Sequence, residues 1–366
     1  MVSKKGHKLY KIAKKNILGG CMLISKKPEF ILPNQWPTYY SRAHKTYLWD
    51  IDNKRYLDMM FYVGQSTLGY SNSTIDNKVV EKLKNGNISS LNCPEEVELS
   101  KILIQLHPWA GKVKFAKSGG EANAIAIRIA RAASKKDKIA ICGYHGWHDW
   151  YLSVNLKNKQ NLNDHLIKGL DPIGVPKNLK ETVFPFKYGD FKALKKICHN
   201  NKIAAVKMEI ARNTEPDIKF LKNVRALTRK LGIILIFDEC TSGFRRNLGG
   251  YHMLTDVKPD MCMLGKAIAN GYLLTAVLGK NRIMNKAKKS FISSTFWTER
   301  SGYVAAIETI KLMKKIKSWK ILKKNGDYIN KKWKMLAEKH KLPISISGIS
   351  SITSFNFNSK NNLAYK

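Results

Sequence analysis

Leu231-Gly-Ile-Ile-Leu-Ile-Phe-Asp-Glu239 is the stretch from which the fold can be worked out. Its apolar run, from Gly232 to Phe237, is too short for a helix and begins at a glycine, as in a parallel strand that is covered on both faces. The run ends in two carboxylates, Asp238 and Glu239, and buried carboxylates are costly unless a cation meets them. In open α/β sheets, ligands bind at the carboxyl ends of the strands. The sequence therefore predicts a ligand site at this strand end.

A second short apolar segment, Met261–Leu264, ends in Gly265 and Lys266 and brings a lysine to the same predicted edge. Two interpretations of Lys266 beside Asp238 follow. The two residues could form a structural ion pair, since such pairs are common at non-catalytic sites. Alternatively, the lysine holds the aldehyde of pyridoxal phosphate as a Schiff base while the aspartate keeps the pyridine nitrogen protonated. These two residues alone do not decide between the interpretations.

Short apolar runs alternate with amphipathic stretches along the middle of the chain, which is typical of a doubly wound α/β domain. Further strands are predicted at Lys138–Cys142, Ile203–Glu209 and Leu273–Leu278. Helices are predicted where apolar residues recur at helical spacing, at Glu96–His107, Phe220–Lys230 and Ser301–Met313. A β-hairpin with its turn at Asp52-Asn53 precedes this domain, and residues 155–180 form a long polar loop that could cover a site.

The glycine-containing segment Ser118–Glu121 follows a predicted strand that starts at Val113, and apolar residues at helical spacing come after it. Ser118 and Glu121 have the spacing of a capping box, which begins a helix. The unpaired amides of a helix N-terminus attract anions, and Gly119 and Gly120 allow a ligand to approach the backbone closely. The motif therefore predicts either a phosphate site or an ordinary capped helix.

An aromatic residue and two histidines follow the predicted strand Lys138–Cys142. Tyr144 is predicted to be exposed and to stack on a flat ring. His145 and His148 have a spacing that metal sites use, but no third ligand lies nearby in the sequence. No metal site is therefore predicted.

The chain has 366 residues and a formal net charge of +38, a basic balance that nucleic-acid-binding proteins share. The excess is mostly lysine spread along the whole chain, without an arginine-rich tail or a recognisable nucleic-acid-binding module. We therefore expect a solvated lysine surface that favours anionic small molecules, and no specific nucleic-acid partner.

Six cysteines are scattered without the paired spacing of metal ligands, which indicates a reduced protein without disulfides. No segment of the sequence has the length and apolar character of a secretion signal or a membrane-spanning helix. The sequence thus predicts a cytoplasmic protein that does not associate with membranes.

Four motifs occur together in the order and rough spacing of one enzyme family. They are Ser118-Gly-Gly-Glu-Ala122, Tyr144-His145-Gly146, Phe237-Asp-Glu-Cys-Thr-Ser-Gly-Phe-Arg245, and Pro259-Asp260 with Gly265-Lys266. Over about residues 20–355 the sequence resembles the class III pyridoxal-phosphate aminotransferases, and most closely their glutamate-1-semialdehyde 2,1-aminomutase branch. The segment Ser293–Arg300 also resembles aminotransferases of that type associated with surface-polysaccharide synthesis.

The resemblance implies a role for each matching residue around the cofactor ring. Lys266 is expected to be the Schiff-base lysine, and afterwards the base that moves the proton between the substrate carbon and the cofactor carbon. Asp238 is expected to be the partner of the pyridine nitrogen. Tyr144 would stack on the ring, and Glu209 matches an acid near the cofactor's ring oxygen.

The resemblance also implies a phosphate site shared between two subunits. Ser118, Gly119 and Gly120 are expected to contact the phosphate, although Gly120 brings no hydroxyl where the family usually has Ser or Thr. Thr295 resembles the threonine that reaches the phosphate from the other subunit, and Ser294 is its alternative, because this segment aligns only after a shift of one residue. The protein is therefore expected to be a homodimer.

The implied fold is that of the fold-type I pyridoxal-phosphate-dependent transferases, in which a large doubly wound, mostly parallel-sheet domain accompanies a smaller α+β domain from both termini. Residues 1–75 are assigned to the small domain, 76–285 to the large cofactor-binding domain, and 286–366 to the start of a C-terminal small domain, in which case either this domain is shortened or the sequence is a fragment. The implied activity moves an amino group between an amine donor and a carbonyl substrate. Alternatives are a racemase or decarboxylase on the same cofactor, and a non-catalytic polyanion-binding protein that kept the fold. Candidates for substrate contact are Gln35, Trp36, Arg212 and the 155–180 loop.

Overall fold

The computed structural model describes residues 3–165 and 168–358, and its centre is a seven-stranded sheet. The strands of the described residues are β1 (Tyr40–His44), β2 (Tyr47–Asp50), β3 (Arg55–Leu57), β4 (Lys112–Ala116), β5 (Lys138–Cys142), β6 (Val183–Pro185), β7 (Ile203–Glu209), β8 (Ile234–Glu239), β9 (Met261–Leu264), β10 (Thr275–Gly279), β11 (Ile344–Ser347) and β12 (Ser354–Phe357). The central sheet has the order β4-β10-β9-β8-β7-β5-β6, in which β10 is antiparallel to both neighbours and the other pairs are parallel. This is the mostly parallel sheet that the sequence predicts.

Helices cover both faces of this sheet. The α-helices of the described residues are α1 (Lys4–Asn16), α2 (Pro28–Ile31), α3 (Phe61–Gly64), α4 (Ser73–Leu83), α5 (Pro94–Leu106), α6 (Gly119–Ser134), α7 (Asp149–Leu152), α8 (Phe191–Asn200), α9 (Ile218–Lys230), α10 (Asn281–Met284), α11 (Arg300–Ile316) and α12 (Ser318–Lys339). Helices α4, α5, α8, α9 and α11 contribute to one hydrophobic core, and α6, α7 and α10 contribute to the other. Because both faces are covered, every residue of β7 and β8 is buried.

Two small antiparallel sheets come from the two ends of the chain. Strands β1 to β3 form the first, and the connection between β2 and β3 contains the predicted turn at Asp52-Asn53, where Asn53 has a φ of 65°. Strands β11 and β12 pair to form the second. These sheets are consistent with a small domain built from both termini, and the division of the chain after residues 75 and 285 stays a prediction.

The predicted strands and helices are confirmed with small shifts at their ends. Strands β5, β7 and β9 have the predicted bounds, whereas β10 begins at Thr275 rather than Leu273. The reason is that Leu273 is exposed and the pairing with β4 starts only at Thr275. Helix α5 begins earlier than predicted, at Pro94, whose fixed φ suits the first turn of a helix. Helix α11 is longer than predicted by one residue at its start and three at its end, reaching Ile316.

Among the helices that the structure describes, none combines the length and the apolar character needed to cross a bilayer. All six cysteines lie within the described residues, and each is a free thiol. Cys142 and Cys198 are buried among apolar side chains, where a thiol packs as a small hydrophobic group.

His107, just beyond the end of α5, is completely buried and makes stability depend on pH. Its Nδ1–H donates to the Leu103 carbonyl at 2.8 Å, and its Nε2 accepts from the Gly250 N–H at 2.9 Å. A neutral ring satisfies both contacts, whereas a protonated ring cannot accept from Gly250. Burial, with His252 nearby, lowers the pKa of His107 to about 4.

We expect the free energy of unfolding to fall as the pH drops from about 6.5, the ordinary pKa of histidine, towards about 4. The unfolded chain binds the proton first in this window, so the full contribution of His107, roughly 3 kcal/mol, is present only above the unfolded pKa. Denaturant unfolding at several pH values should show a flatter pH dependence in His107→Gln. The exposed His199→Gln should keep the slope of the parent, and equal slopes in the parent and His107→Gln would contradict the prediction.

Candidate active site

The carboxyl ends of the parallel strands bring the predicted site residues to one edge of the central sheet. Asp238, near the end of β8, pairs in register with Glu209, the last residue of β7. Lys266 follows β9, Tyr144 follows β5 and Ser118 follows β4. Because β4, β5, β7, β8 and β9 all point the same way, these five residues share the edge at which open α/β sheets bind ligands.

Lys266 is held in a strained backbone conformation directly after β9. Its φ of 46° lies in the left-handed region, and such strain persists only where the surrounding structure enforces it. Its Nζ donates to the hydroxyl of Thr241 at 2.7 Å. Burial lowers the pKa of the Lys266 ammonium, and a lower pKa leaves more of the free amine that can attack a carbonyl carbon.

Asp238 is buried against a lysine other than Lys266. Its Oδ2 lies 2.7 Å from Lys207 Nζ and 2.9 Å from His145 Nδ1, and its Oδ1 accepts from the Cys240 N–H at 3.1 Å. Burial alone would raise the pKa of this carboxyl, but the Lys207 ammonium and the His145 hydrogen bond outweigh burial and bring the pKa well below its ordinary value. Asp238 is therefore an ionised carboxylate. Because its salt bridge is to Lys207, the interpretation of Lys266 and Asp238 as a structural ion pair is wrong.

Glu209 is fixed by its neighbours at the end of β7. The Nε and Nη2 of Arg212 donate to its carboxylate at 2.6–2.9 Å, and the Tyr144 N–H donates to it at 3.0 Å. Gly143 has no room for a side chain, because a Cβ would lie 2.5 Å from Glu209 Oε2, and its φ of 108° favours glycine. Arg212 Nη2 also donates to Thr241 Oγ1 at 3.2 Å, so one chain of contacts links Glu209 to the hydroxyl that holds the candidate lysine.

The turn before α6 contains the predicted capping box. Ser118 Oγ accepts from the Glu121 N–H at 3.3 Å, and the Glu121 carboxylate accepts from the Ser118 N–H at 2.8 Å. The first amides of a helix have no acceptor within the helix, and a Cβ on Gly119 would meet no atom of the described residues within 4 Å. The N-terminus of α6 therefore faces open space that fits an anion.

Gly120 has no room for a larger side chain. A Cβ at this position would lie 2.6 Å from His148 Cε1, and a Cβ on Gly146 would lie 3.2 Å from the Gly120 Cα. Trp147 stacks on the His148 ring, with the ring centroids 4.6 Å apart, and fixes that ring against the glycine. The His148 ring thus occupies the volume in which a Ser or Thr at position 120 would place its side chain.

We expect Gly120→Ser to lower the free energy of unfolding by about 1–3 kcal/mol, the usual cost of overpacking. His148→Ala should recover most of this loss in the Gly120→Ser background, because it removes the ring that the new side chain meets. Gly119→Ser is the matched control, since its Cβ has open space. Denaturant unfolding compares the variants, and a Gly120→Ser protein as stable as Gly119→Ser would contradict the packing described.

Tyr144 and the long loop lie beside the same strand end. Tyr144 is half-buried rather than exposed as predicted, because Tyr151 of α7 packs edge-on against its ring, with the centroids 6.0 Å apart. Within residues 155–180, His165 Nδ1 accepts from the Gly143 N–H at 2.9 Å, which brings the loop next to Tyr144. Residues 166 and 167 of this loop lie outside the described residues.

Other predicted residues lie in exposed segments of the chain. Thr295 and its alternative Ser294 are exposed where a short 3₁₀-helix, Thr295–Thr298, begins. Gln35 is exposed and Trp36 is half-buried, and the backbone N–H groups of both donate to the Leu32 carbonyl within the N-terminal segment. Their suggested contact with substrate stays a prediction.

A group of buried side chains next to Asp238 in sequence has the residue types of a metal site. Ligand atoms of Glu239, His252 and Cys262 lie within 4.8 Å of one another. However, His252 Nδ1–H donates to Glu239 Oε1 at 2.5 Å, and its Nε2 accepts from Trp109 Nε1–H at 2.7 Å. Burial also raises the pKa of the Cys262 thiol well above its ordinary value. Because both ring nitrogens are engaged and the thiol is protonated, the cluster is a hydrogen-bond network between β8 and β9.

The sequence patterns do not single out Lys207, Thr241 or the role of His145. Lys207 did carry a signal, because it is a charged residue inside the otherwise apolar run Ile203–Glu209 and such a residue needs a counter-charge. In a strand it also shares a face with Glu209, two residues later. Thr241 and His145 carry no comparable signal, because only the folded chain shows which atoms their side chains meet.

Known sequences related to this chain include aminotransferases and aminomutases. Residues 33–365 match the model of the family described as Aminotransferase class-III. The chain is 33% identical over 350 residues to the 3-aminobutyryl-CoA aminotransferase of Cloacimonas acidaminovorans (strain Evry), an alignment that covers 93% of this chain and 80% of the relative. It is 32% identical over 364 residues to the glutamate-1-semialdehyde 2,1-aminomutase of Wigglesworthia glossinidia brevipalpis, with 96% of this chain and 82% of the relative covered.

A solved structure shares the same architecture. The FumI protein of Sphingopyxis sp. MTA144, in its PLP internal aldimine form, matches with a TM-score of 0.88 at 23% identity, covering 98% of this chain and 84% of that one. At this identity the likeness concerns the fold alone, and it confirms the predicted fold type. The family match and the relatives confirm the predicted resemblance and the predicted enzyme class. The chain belongs to the class III aminotransferases, and it is a pyridoxal-phosphate-dependent aminotransferase or aminomutase.

Proposed function

We propose that the crevice formed by Lys266, Asp238 and the N-terminus of α6 binds pyridoxal phosphate and moves an amino group from an amine donor to a carbonyl acceptor. The proposal rests mainly on the observation that the Lys266 amine and the Asp238 carboxylate have separate partners. Asp238 is bound to Lys207, whereas the Lys266 amine is held by the hydroxyl of Thr241. An amine that is held by a hydroxyl, with a pKa lowered by burial, is suited to attack an aldehyde.

Features of the site fit the separate parts of the cofactor. The open space in front of Gly119, at a helix N-terminus, fits the phosphate. The ionised carboxylate of Asp238 fits a protonated pyridine nitrogen. Next to it, His145 Nε2 is a buried ring nitrogen without a hydrogen-bond partner in the described parts of the chain. A buried polar atom of this kind is expected where a bound group completes the site.

The residues of this chain divide the work of amino transfer between them. When bound, pyridoxal phosphate supplies an electron sink that stabilises negative charge on the substrate carbon. Lys266 Nζ would first hold the cofactor and would then carry a proton to and from the substrate carbon. Tyr144 would cover a face of the ring and exclude water from it. Glu209, fixed by Arg212, would stand beside the ring oxygen.

Amino transfer is favoured over the other reactions of the same cofactor. The named relatives are an aminotransferase and an aminomutase, which supports amino-group transfer rather than racemisation or decarboxylation. The net charge of +38 supports an anionic substrate. Arg212 is the candidate to contact that substrate, because it is the cation between Glu209 and Thr241 at the strand ends.

Transfer of label from ¹⁵N-labelled donors tests the proposed function. The purified protein is supplied with pyridoxal phosphate, a panel of labelled amino acids and amines, and a panel of carbonyl acceptors, and the products are identified by mass spectrometry. We expect ¹⁵N in the aminated acceptor for at least one pairing. Racemised or decarboxylated product without label transfer would contradict the proposal and favour the alternative reactions. Cofactor binding with no chemistry on any donor would favour the non-catalytic alternative.

The proposed phosphate site would be completed by a second copy of the chain. The turn before α6 supplies a serine and two glycines, and the position of Gly120 is closed to any added hydroxyl by His148. Thr295 is exposed, so its hydroxyl is free to meet another subunit. In a two-fold homodimer, Thr295 or Ser294 of each subunit would supply the missing hydroxyl to the other subunit's phosphate site.

Thr295→Val is expected to weaken the binding of pyridoxal phosphate by about 1 kcal/mol or more, because a hydrogen bond to a charged phosphate is lost. Ser294→Ala is the matched control, and it should have the larger effect if the alternative register is the right one. Cofactor affinity should also fall when the protein is diluted through its dimer dissociation range. Light scattering together with cofactor titration tests this, and tight binding by a monomer would contradict the shared site.

A cytoplasmic location is part of the same proposal. It is supported by the six free thiols, because unpaired cysteines are typical of compartments that are kept reducing. Cell fractionation with an antibody against the chain tests it, and recovery outside the cytoplasmic fraction would contradict it.

A further inference from the structure

Lys207 lies in the middle of β7 with no exposed surface, and its ammonium meets the carboxylate that the cofactor site depends on. Its Nζ lies 2.7 Å from Asp238 Oδ2 and 3.1 Å from His145 Nδ1. Glu209 pairs with Asp238 in register, so Lys207, two residues earlier on the same face of β7, reaches diagonally across to β8. A lysine buried to this degree requires a carboxylate partner, because the desolvation of an unpaired charge is costly.

We propose that the Lys207 ammonium partly offsets the negative charge of the Asp238 carboxylate and thereby weakens the protonation of the ring nitrogen of bound pyridoxal phosphate. The inference rests on the proposed cofactor site. A carboxylate that already has a cationic neighbour attracts a second cation less strongly than an unpaired carboxylate does. The ring nitrogen therefore loses its proton more easily here, and the ring is a weaker electron sink. Lys207 acts through Asp238 and is a positioning residue.

Among the titratable groups around the Asp238 carboxylate, Lys207 supplies the positive charge that no other neighbour offsets. In the described part of the chain they are His145 after β5, Glu209 of β7, Arg212, Cys240, Cys262 of β9, and Lys266. Burial lowers the pKa of His145 and raises the pKa of both thiols, so these groups are neutral at pH 7. The charges of Glu209 and Arg212 offset each other at 2.6 Å. The Lys266 amine is the group that the cofactor would consume.

The substitution Lys207→Met tests the inference, because methionine fills a similar volume without the charge. Both proteins are loaded with pyridoxal phosphate that carries ¹⁵N in its ring, and the ring ¹⁵N chemical shift is followed against pH. The midpoint of the ring-nitrogen titration should rise by about one pH unit or more in Lys207→Met. Lys202→Met is the matched control. It removes an exposed lysine just before the same strand and should leave the midpoint unchanged.

A cofactor analogue with a C–H group in place of the ring nitrogen separates charge from packing. Lys207→Met should raise the ratio of the affinities for cofactor and analogue at least about tenfold, since the protonated ring nitrogen becomes the cation that pairs with Asp238. A residue with a merely structural role would change both affinities alike. The ratio therefore reports on the charge that Lys207 supplies and not on local packing.

The outcomes separate this inference from the proposed function. Normal cofactor binding with an unchanged midpoint and an unchanged affinity ratio would overturn the role of Lys207 and leave the proposed function standing. Absence of cofactor binding in the parent would overturn both. If Lys207→Met does not fold, the titration of the ring nitrogen in the parent protein tests the inference instead. The inference is supported if this midpoint lies within about one pH unit of the midpoint measured for the cofactor attached to a small amine in the same buffer. A midpoint in the parent that is higher by more than this overturns the inference.

Discussion

Lys266→Ala is expected to abolish amino transfer, with a loss of at least about 10³-fold, while the protein keeps its fold. The amine has two tasks in the proposed function, since it holds the cofactor and then moves the substrate proton. The second lysine at this edge, Lys207, is salt-bridged to Asp238 and is not free to replace Lys266. The fold should survive because Lys266 is only half-buried and, among the described residues, its Nζ hydrogen-bonds to Thr241 alone. Lys266→Arg should fail as well, because a guanidinium stays protonated.

Lys258→Ala is the matched control for this prediction. Lys258 is a half-buried lysine just before β9, and its Nζ donates to the Thr255 carbonyl at 3.1 Å. Initial rates of label transfer should therefore be close to those of the parent in Lys258→Ala and undetectable in Lys266→Ala. Substantial transfer by a well-folded Lys266→Ala protein would contradict the assignment of the lysine.

Asp238→Asn is expected to lower both turnover and stability. Turnover should fall by about tenfold or more, because the ring nitrogen would lose the part of the Asp238 charge that Lys207 does not offset and that favours its protonation. Stability should fall by about 3–5 kcal/mol, because the substitution leaves the Lys207 ammonium buried without a carboxylate. Rates with saturating cofactor and denaturant unfolding measure the two effects separately.

A double substitution separates the two roles of Asp238. Asp238→Asn combined with Lys207→Met should recover most of the lost stability, because no unpaired charge remains, but should not recover turnover. If the double variant regained the turnover of the parent, Asp238 would be only a structural partner of Lys207. The neighbouring acids could not easily replace it, since Glu239 is bound to His252 and Glu209 to Arg212.

The centre of the sheet could be predicted because β7, β8, β9 and β10 are short, mostly apolar and fully buried. The runs that became β7 and β8 are interrupted by few polar residues, and such runs fit only strands covered on both faces. By contrast, β1 (Tyr40–His44) is largely exposed and shows no clear alternation, so its sequence carries little strand signal. The predicted start of β10 is two residues too early, because Leu273 is apolar but exposed.

The candidate site could be predicted only where local sequence determines geometry. The capping box of Ser118 and Glu121 lies within four residues, so its spacing alone predicts the start of α6. The salt bridge between Lys207 and Asp238 joins residues that are 31 positions apart, and the hydrogen bond between Lys266 and Thr241 spans 25 positions. Such contacts depend on strand order and register, which a residue pattern does not contain. The sequence therefore predicts the residues at the sheet edge but not their partners.

Chemical trapping of the cofactor identifies the lysine that binds it. The parent protein is incubated with pyridoxal phosphate, reduced with borohydride and digested, and the modified peptide is sequenced by mass spectrometry. Since the chain has 54 lysines, non-specific labelling would be spread over many peptides. We predict a single reduced phosphopyridoxyl group, on Lys266. Modification of Lys207 or of a surface lysine, with Lys266 unmodified, would contradict the account.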